Sequence, residues 1–175
     1  MSAVLAPTQS QLYAGIRAWV AGLLPTGVQV VRGQQNRAAP PLAAFVTMLI
    51  TGREPLATAG WRYTATTRDI SETACVSLQL AVFGPDAHDH AQTLCAAWRD
   101  RQAADFFILQ GIPAAPLYVS HARQVPLSDG EHQYQACWML DLDMQVTFSL
   151  SLPQDFATTL SAVTVLADRP HPPEE

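Results

Sequence analysis

Through residues 134–150 the chain alternates strictly. Trp138, Leu140, Leu142, Met144, Val146, Phe148 and Leu150 are interleaved with Cys137, Met139, Asp141, Asp143, Gln145, Thr147 and Ser149. A period of two puts the first set on one face and the second on the other, which an extended strand does and a helix does not. Sustained over this length, it predicts a half-buried antiparallel strand with a polar outer face. Whatever else the chain forms must supply partners for that strand and a cover for its apolar side.

A second alternating stretch spans residues 73–83, with Val76, Leu78, Leu80 and Val82 on one face and Ser77, Gln79 and Ala81 on the other. Residues 45–51 are apolar on both faces and predict a buried strand, and residues 28–32 a short one. The cover comes from helical patterns. Leu12, Ile16, Trp19, Val20 and Leu23 share a face over residues 8–24, with Thr8 suited to cap that helix after Pro7. Gly84, Pro85 and Asp86 read as a helix start, followed by a stripe of Ala87, Ala91, Leu94, Cys95 and Trp98. A second short helix through Ala103, Phe106, Phe107 and Leu109 ends at Gln110 and Gly111.

Gly52, Pro55 and Gly60 punctuate residues 52–71, where residues 61–67 have strand propensity, so a protruding loop or hairpin arm is expected. Irregular strand segments are expected at residues 117–119 and 124–125, a turn at Ser128, Asp129 and Gly130, and a last strand over residues 158–166. The predicted class is α+β, a mostly antiparallel sheet with an N-terminal helix and a central helix pair packed on one face. A length of 175 residues suits a single domain over 1–175, with residues 1–7 and 168–175 as flexible ends. No apolar run approaches the ~20 residues of a membrane helix, and the start lacks the basic residue of a signal peptide, so a soluble protein made in the cytoplasm is expected.

Several chemistries are disfavoured. The net charge is −5 and all ten basic residues are arginine, without a cluster to grip phosphates. No Gly-x-Ser-x-Gly elbow or phosphate-binding glycine loop occurs, and there is no lysine for a Schiff base. Cys75, Cys95 and Cys137 are widely spaced in apolar surroundings, as buried free thiols are. His88, Asp89 and His90 form the most metal-like cluster, but residues two apart on a helix diverge. His121 and His132 have no special setting. Asp141 and Asp143 share a strand face about 6 to 7 Å apart, which would suit paired carboxylates or magnesium ligands, yet the further ligands such a site needs are missing. No catalytic residue, cofactor site or metal site is assigned, and a small metal-dependent hydrolase is the least favoured reading.

Three segments together resemble the neck or tail terminator proteins of tailed phages and prophages. Val31, Arg32, Gly33, Gln34, Gln35 and Asn36, followed by Pro40, Pro41 and residues 45–50, are similar to that family's turn and buried strand. Arg37 and Phe45 stand where the family pattern has proline and tyrosine. Residues 76–87 resemble its central strand running into a helix, and Tyr134, Gln135 and Ala136 with Asp141, Leu142 and Asp143 its late strand, so the likeness spans most of residues 28–166. Gln35 and Asn36 alone would read as a turn bonding its own backbone.

The resemblance implies a non-enzymatic structural protein that forms a ring, usually hexameric, caps the tail tube and offers a docking face to the head connector. Its partners would be further copies of itself, the tube protein and the connector, with DNA only passing through the lumen and no membrane involved. It would assemble in the host cytoplasm and end in the virion neck. A head-tail adaptor is the alternative. The arm at Trp61, Arg62 and Tyr63 is a candidate subunit interface, since Trp, Tyr and Arg are common anchors. Ser77, Gln79, Asp141 and Asp143 are candidate residues of a polar, lumen-facing sheet surface.

Overall fold

The computed structural model describes residues 2–34, 43–128, 134–155 and 161–163. The segments read as the Gln35-Asn36 turn, Pro40-Pro41, Asp129-Gly130, the strand over 158–166 and the end 168–175 fall wholly or largely outside these residues.

Helix α1 (Gln9–Leu23) starts at Thr8, whose hydroxyl accepts the Gln11 N–H at 3.3 Å while Gln11 Oε1 accepts the Thr8 N–H at 2.7 Å. This reciprocal cap satisfies donors that a helix start leaves open. The buried stripe includes Leu12, Ile16, Trp19 and Val20, as its spacing predicts. The start of helix α2 (Ala87–Arg99) differs from expectation. Gly84 has φ of +121°, a turn conformation that ends the preceding strand, so Pro85 lies outside the helix and Asp86 becomes the cap without a side-chain bond. The buried stripe of α2 is the predicted one. Asp100 ends α2 and caps helix α3 (Arg101–Leu109), accepting the Gln102 N–H at 2.9 Å.

The strands are β1 (Val4–Ala6), β2 (Gln29–Arg32), β3 (Phe45–Pro55), β4 (Gly60–Tyr63), β5 (Thr67–Phe83), β6 (Ala114–Val119), β7 (Arg123–Ser128) and β8 (Tyr134–Pro153). They form one sheet ordered β1-β8-β5-β3-β2, with β4 on β5 and with β6 and β7 on β8. Only β2 against β3 is parallel. The predicted α+β class is what the chain adopts. The two alternating segments are the central pair, β5 against β8 in unbroken register from Thr67↔Pro153 to Phe83↔Cys137. The irregular stretch after α3 is two strands laid end to end along the far side of β8, with a register shift at Pro116. β1 occupies the rest of that side, within the segment expected to be a flexible end.

One face of the β5–β8 pair, from Ala74, Val76, Leu78, Leu80, Val82, Leu140, Leu142, Met144 and Val146, packs against α1, α2 and α3 in the core. A smaller apolar cluster lies on the opposite face, where Phe45 and Phe83 stack at 4.4 Å beside Cys137.

Candidate functional site

β5 and β8 are longer than the helices can cover. At about 3.3 Å per residue, their 17 and 20 residues span roughly 55 and 65 Å. Beyond Ala74 the sheet continues as an arm made by β4, the start of β5, the end of β8 and β1, while no residue of β4 or of the first seven of β5 is buried. The expected protruding arm is thus a multi-stranded wing of the main sheet.

Register sorts the arm into two unlike faces. Trp61 pairs with Ile70, Ile70 with Leu150 and Leu150 with Leu5, so one apolar row crosses four strands on the same face as the core. The next row outward is Tyr63, Arg68 and Leu152. Trp61 is 62% exposed and Leu5 43%. The Arg68 guanidinium carbon lies 6.0 Å from the Trp61 ring centre. On the core side of the row, the Arg53 guanidinium stacks 3.6 Å over Phe148 and bonds Glu72 at 3.2 Å. The opposite face is polar, with Arg62 opposite Asp69, Asp69 opposite Ser151 and Ser71 opposite Ser149. Ser151 donates to Asp69 at 2.7 Å. Of the three arm residues singled out from sequence, Trp61 and Tyr63 share a face and Arg62 does not.

The second predicted set lies together on the sheet face away from the helices. Ser77 Oγ donates to Asp143 Oδ1 at 2.7 Å and Gln79 Nε2 to Asp141 Oδ1 at 2.9 Å, each pair directly opposite across β5 and β8. Sequence reasoning missed Arg123, whose guanidinium meets Asp141 Oδ2 at 2.7 Å from β7. Partial burial alone would raise the Asp141 carboxyl, but the bonds from Gln79 and Arg123, with the arginine's charge, outweigh it and hold the group below its ordinary range. Cys75 shares this face, and its thiol is pushed up by burial first and then by the charges of Asp143 and Glu54. Burial also raises Cys95 and Cys137, so none of the three has the depressed pKa of an activated thiolate. Among the described residues, no three His, Cys, Asp or Glu side chains converge as metal ligands. His88 bonds Asp89 at 3.1 Å and packs edge-on against Trp138. The carboxylates are engaged in a hydrogen-bonded surface.

The family model described as phage neck terminator protein matches residues 10–168. The chain belongs to this family. It is therefore related to structural components of the virion neck that terminate the tail. Among solved structures, the chain is similar to the sheath/tube terminator of an extracellular contractile injection system, PVC, in its extended state. That likeness has a TM-score of 0.46 and 14% identity, covering 95% of this chain and 65% of the other, so this chain spans just under two thirds of that protein's length. No curated protein sequence matches the terminator described here.

Proposed function

We propose that this terminator closes into a ring of six copies that caps the tail tube, stops its growth and offers the head connector a docking face, without catalysis. The observation that carries the reading is the apolar row of Trp61, Ile70, Leu150 and Leu5, which continues the core face of the sheet and, among the described residues, leaves Trp61 and Leu5 exposed and Ile70 and Leu150 half-buried. A partly exposed apolar surface of this kind suits a protein contact, and in the proposed ring that contact is the next subunit. In a ring each copy grips its neighbour through two different surfaces.

The polar face of Ser77, Gln79, Asp141 and Asp143 is proposed to line or border the lumen. Arg123 offsets one of the two carboxylates, which leaves a weakly acidic surface that does not hold passing DNA by counterion release. An assembled ring with these side chains outside the channel would sink that part of the proposal. Assembly in the host cytoplasm, then residence in the neck between tube and connector, follows from the same reading.

Electron microscopy of particles made with and without this gene tests the function. Tails of uncontrolled length without the gene are expected. Tails of normal length that fail to join heads would favour a head-tail adaptor, and normal joined tails would reject both roles.

A further inference from the structure

The ring reading leaves open how successive copies are locked together. We infer that residues 158–166 of one copy add as a strand to the free edge of β2 in the next; this rests on the ring reading above.

β2 is the last strand on its side of the sheet. The Gln29 N–H donates to the Ala44 carbonyl and the Gly33 N–H to the Met48 carbonyl, so alternate residues of this parallel strand face β3. Val30 and Arg32 therefore turn their N–H and C=O groups outward, where no described group bonds them. Such an edge takes up an extended segment through main-chain bonds. The other edges are less open. Pro116 and Pro126 interrupt β6 and β7, β1 is three residues long, and Tyr13 Oη accepts the Ile50 N–H at 2.9 Å where β3 runs past β2. β4 has no buried side chain to sort the two faces of an added strand. β2 has neither proline nor bulge, and Val30 is buried in the core.

Beside that edge lies a groove of about 620 Å³ between β2 and α1. Ala14, Ala18 and Ala21 line its helix side, small and exposed, so a further strand fits beneath α1 without displacing a large side chain. Arg17 and Arg32 also line it, and neither makes an ion pair among the described residues. The groove therefore suits an extended segment with carboxylates nearby.

The chain has a segment of that kind. Residues 158–166 are rich in the β-formers Thr158, Thr159, Val163, Thr164 and Val165, and Asp168, Glu174 and Glu175 follow against a single Arg169. Its described part, residues 161–163, is in no strand, and Val163 is 85% exposed. Reach decides which copy receives it. Gln154 is still bonded at the arm tip, to the Thr66 carbonyl, and the chain from there to Val163 spans at most about 32 Å. The β2 edge lies level with Leu80, roughly 43 Å back along β5 from Thr67, and two strands to the side. A copy cannot pair this segment with its own β2. The segment leaves from the arm, the surface proposed above to meet the next copy, and donor and acceptor are different surfaces, as a head-to-tail ring requires.

The test places the photo-cross-linker benzoylphenylalanine at Val163 and irradiates purified particles. The expected product is a ladder of linked copies whose joined peptide lies in residues 28–34 or in α1. Links to another surface, to the tube protein or within one copy overturn the strand exchange while leaving the ring reading intact. Absence of even the wild-type chain from particles overturns the ring reading and this inference with it. Should no link form, or the variant fail to incorporate, Val163→Pro decides, because that side chain is exposed in the isolated chain and proline cannot donate to a ladder. Loss of Val163→Pro from particles by tenfold or more, with Val163→Thr retained, supports the exchange; any other pattern overturns it.

Discussion

Trp61 and Arg62 are neighbours in the chain on opposite faces of the arm, Trp61 in the apolar row with Ile70 and Arg62 on the polar side against Asp69. If the apolar face is the subunit joint, the two residues have separable effects. Trp61→Ala is expected to lower incorporation into particles about tenfold, equivalent to ~1.4 kcal/mol. Arg62→Ala should change it less than about twofold. Immunoblots of purified particles give incorporation, and urea midpoints of the isolated variants, expected to stay within ~0.5 kcal/mol of wild type, exclude misfolding. Equal losses from both variants would argue for a joint along the strand edge.

The parts of this fold legible in the sequence are those whose apolar pattern is answered within the chain. Residues 134–150 read as a strand because Leu140, Leu142, Met144 and Val146 are all buried beneath helices. The stripe of α2 and the Thr8 cap are local patterns and were readable for that reason. The start of β5 was not. Thr67, Arg68, Asp69, Ile70, Ser71 and Glu72 have no buried side, so the alternation that marks the inside of a strand is faint there. β1 is three residues with no pattern, ordered by the side of β8 it meets. The apolar row is non-local, since it joins four segments through register, and the pairing of Arg123 with Asp141 depends on the same kind of information. Gly84, Pro85 and Asp86 suit a helix cap and a turn equally well by residue type, and the positive φ of Gly84 decides between them.

Trp19 and Trp98 meet edge to face with ring centres 5.0 Å apart, and each indole N–H is spoken for. Trp19 Nε1 donates to Gln102 Oε1 at 3.1 Å and Trp98 Nε1 to the Tyr118 carbonyl at 3.0 Å, so the pair ties α1 and α2 to α3 and β6. Trp98→Ala should destabilise the chain by about 3 to 5 kcal/mol through the lost packing and the cavity. Trp98→Phe should recover most of that while leaving the Tyr118 carbonyl without its donor, a residual loss of about 1 kcal/mol. Urea titrations of the isolated variants read both numbers.

Gly84 marks where β5 turns toward α2, and a Cβ there would lie 2.9 Å from the Ala44 Cβ and 3.1 Å from its Cα. Backbone strain at φ of +121° adds to that clash. Gly84→Ala is expected to cost about 1 to 3 kcal/mol. Gly22→Ala serves as the comparison, since a Cβ at Gly22 meets nothing within 4 Å and a glycine with helical backbone, here in the last turn of α1, disfavours the helix. It should be stabilising by up to ~1 kcal/mol. Opposite signs in the two urea midpoints would bear out the conformational account, and a loss at both positions would refute it.

Asp141 gives the polar face a pH dependence. Its carboxyl is held below its ordinary value because the Gln79 and Arg123 bonds outweigh the cost of burial. A depressed carboxylate contributes stability that is fully present above the unfolded-state value, about 3.9, and is lost as pH falls through the lower folded value. The Asp141 and Arg123 side chains are 46% and 51% exposed, so solvent screens the pair and the contribution is small. The difference in urea midpoint between wild type and Asp141→Asn should therefore be constant from about pH 7 down to about pH 5 and shrink below about pH 4. Arg123→Ala should remove most of the same acid-limb difference while leaving Gln79 to bond Asp141, since the arginine supplies both a bond and a charge. A difference that grows on acidification would mean that burial, rather than these bonds, governs the carboxyl.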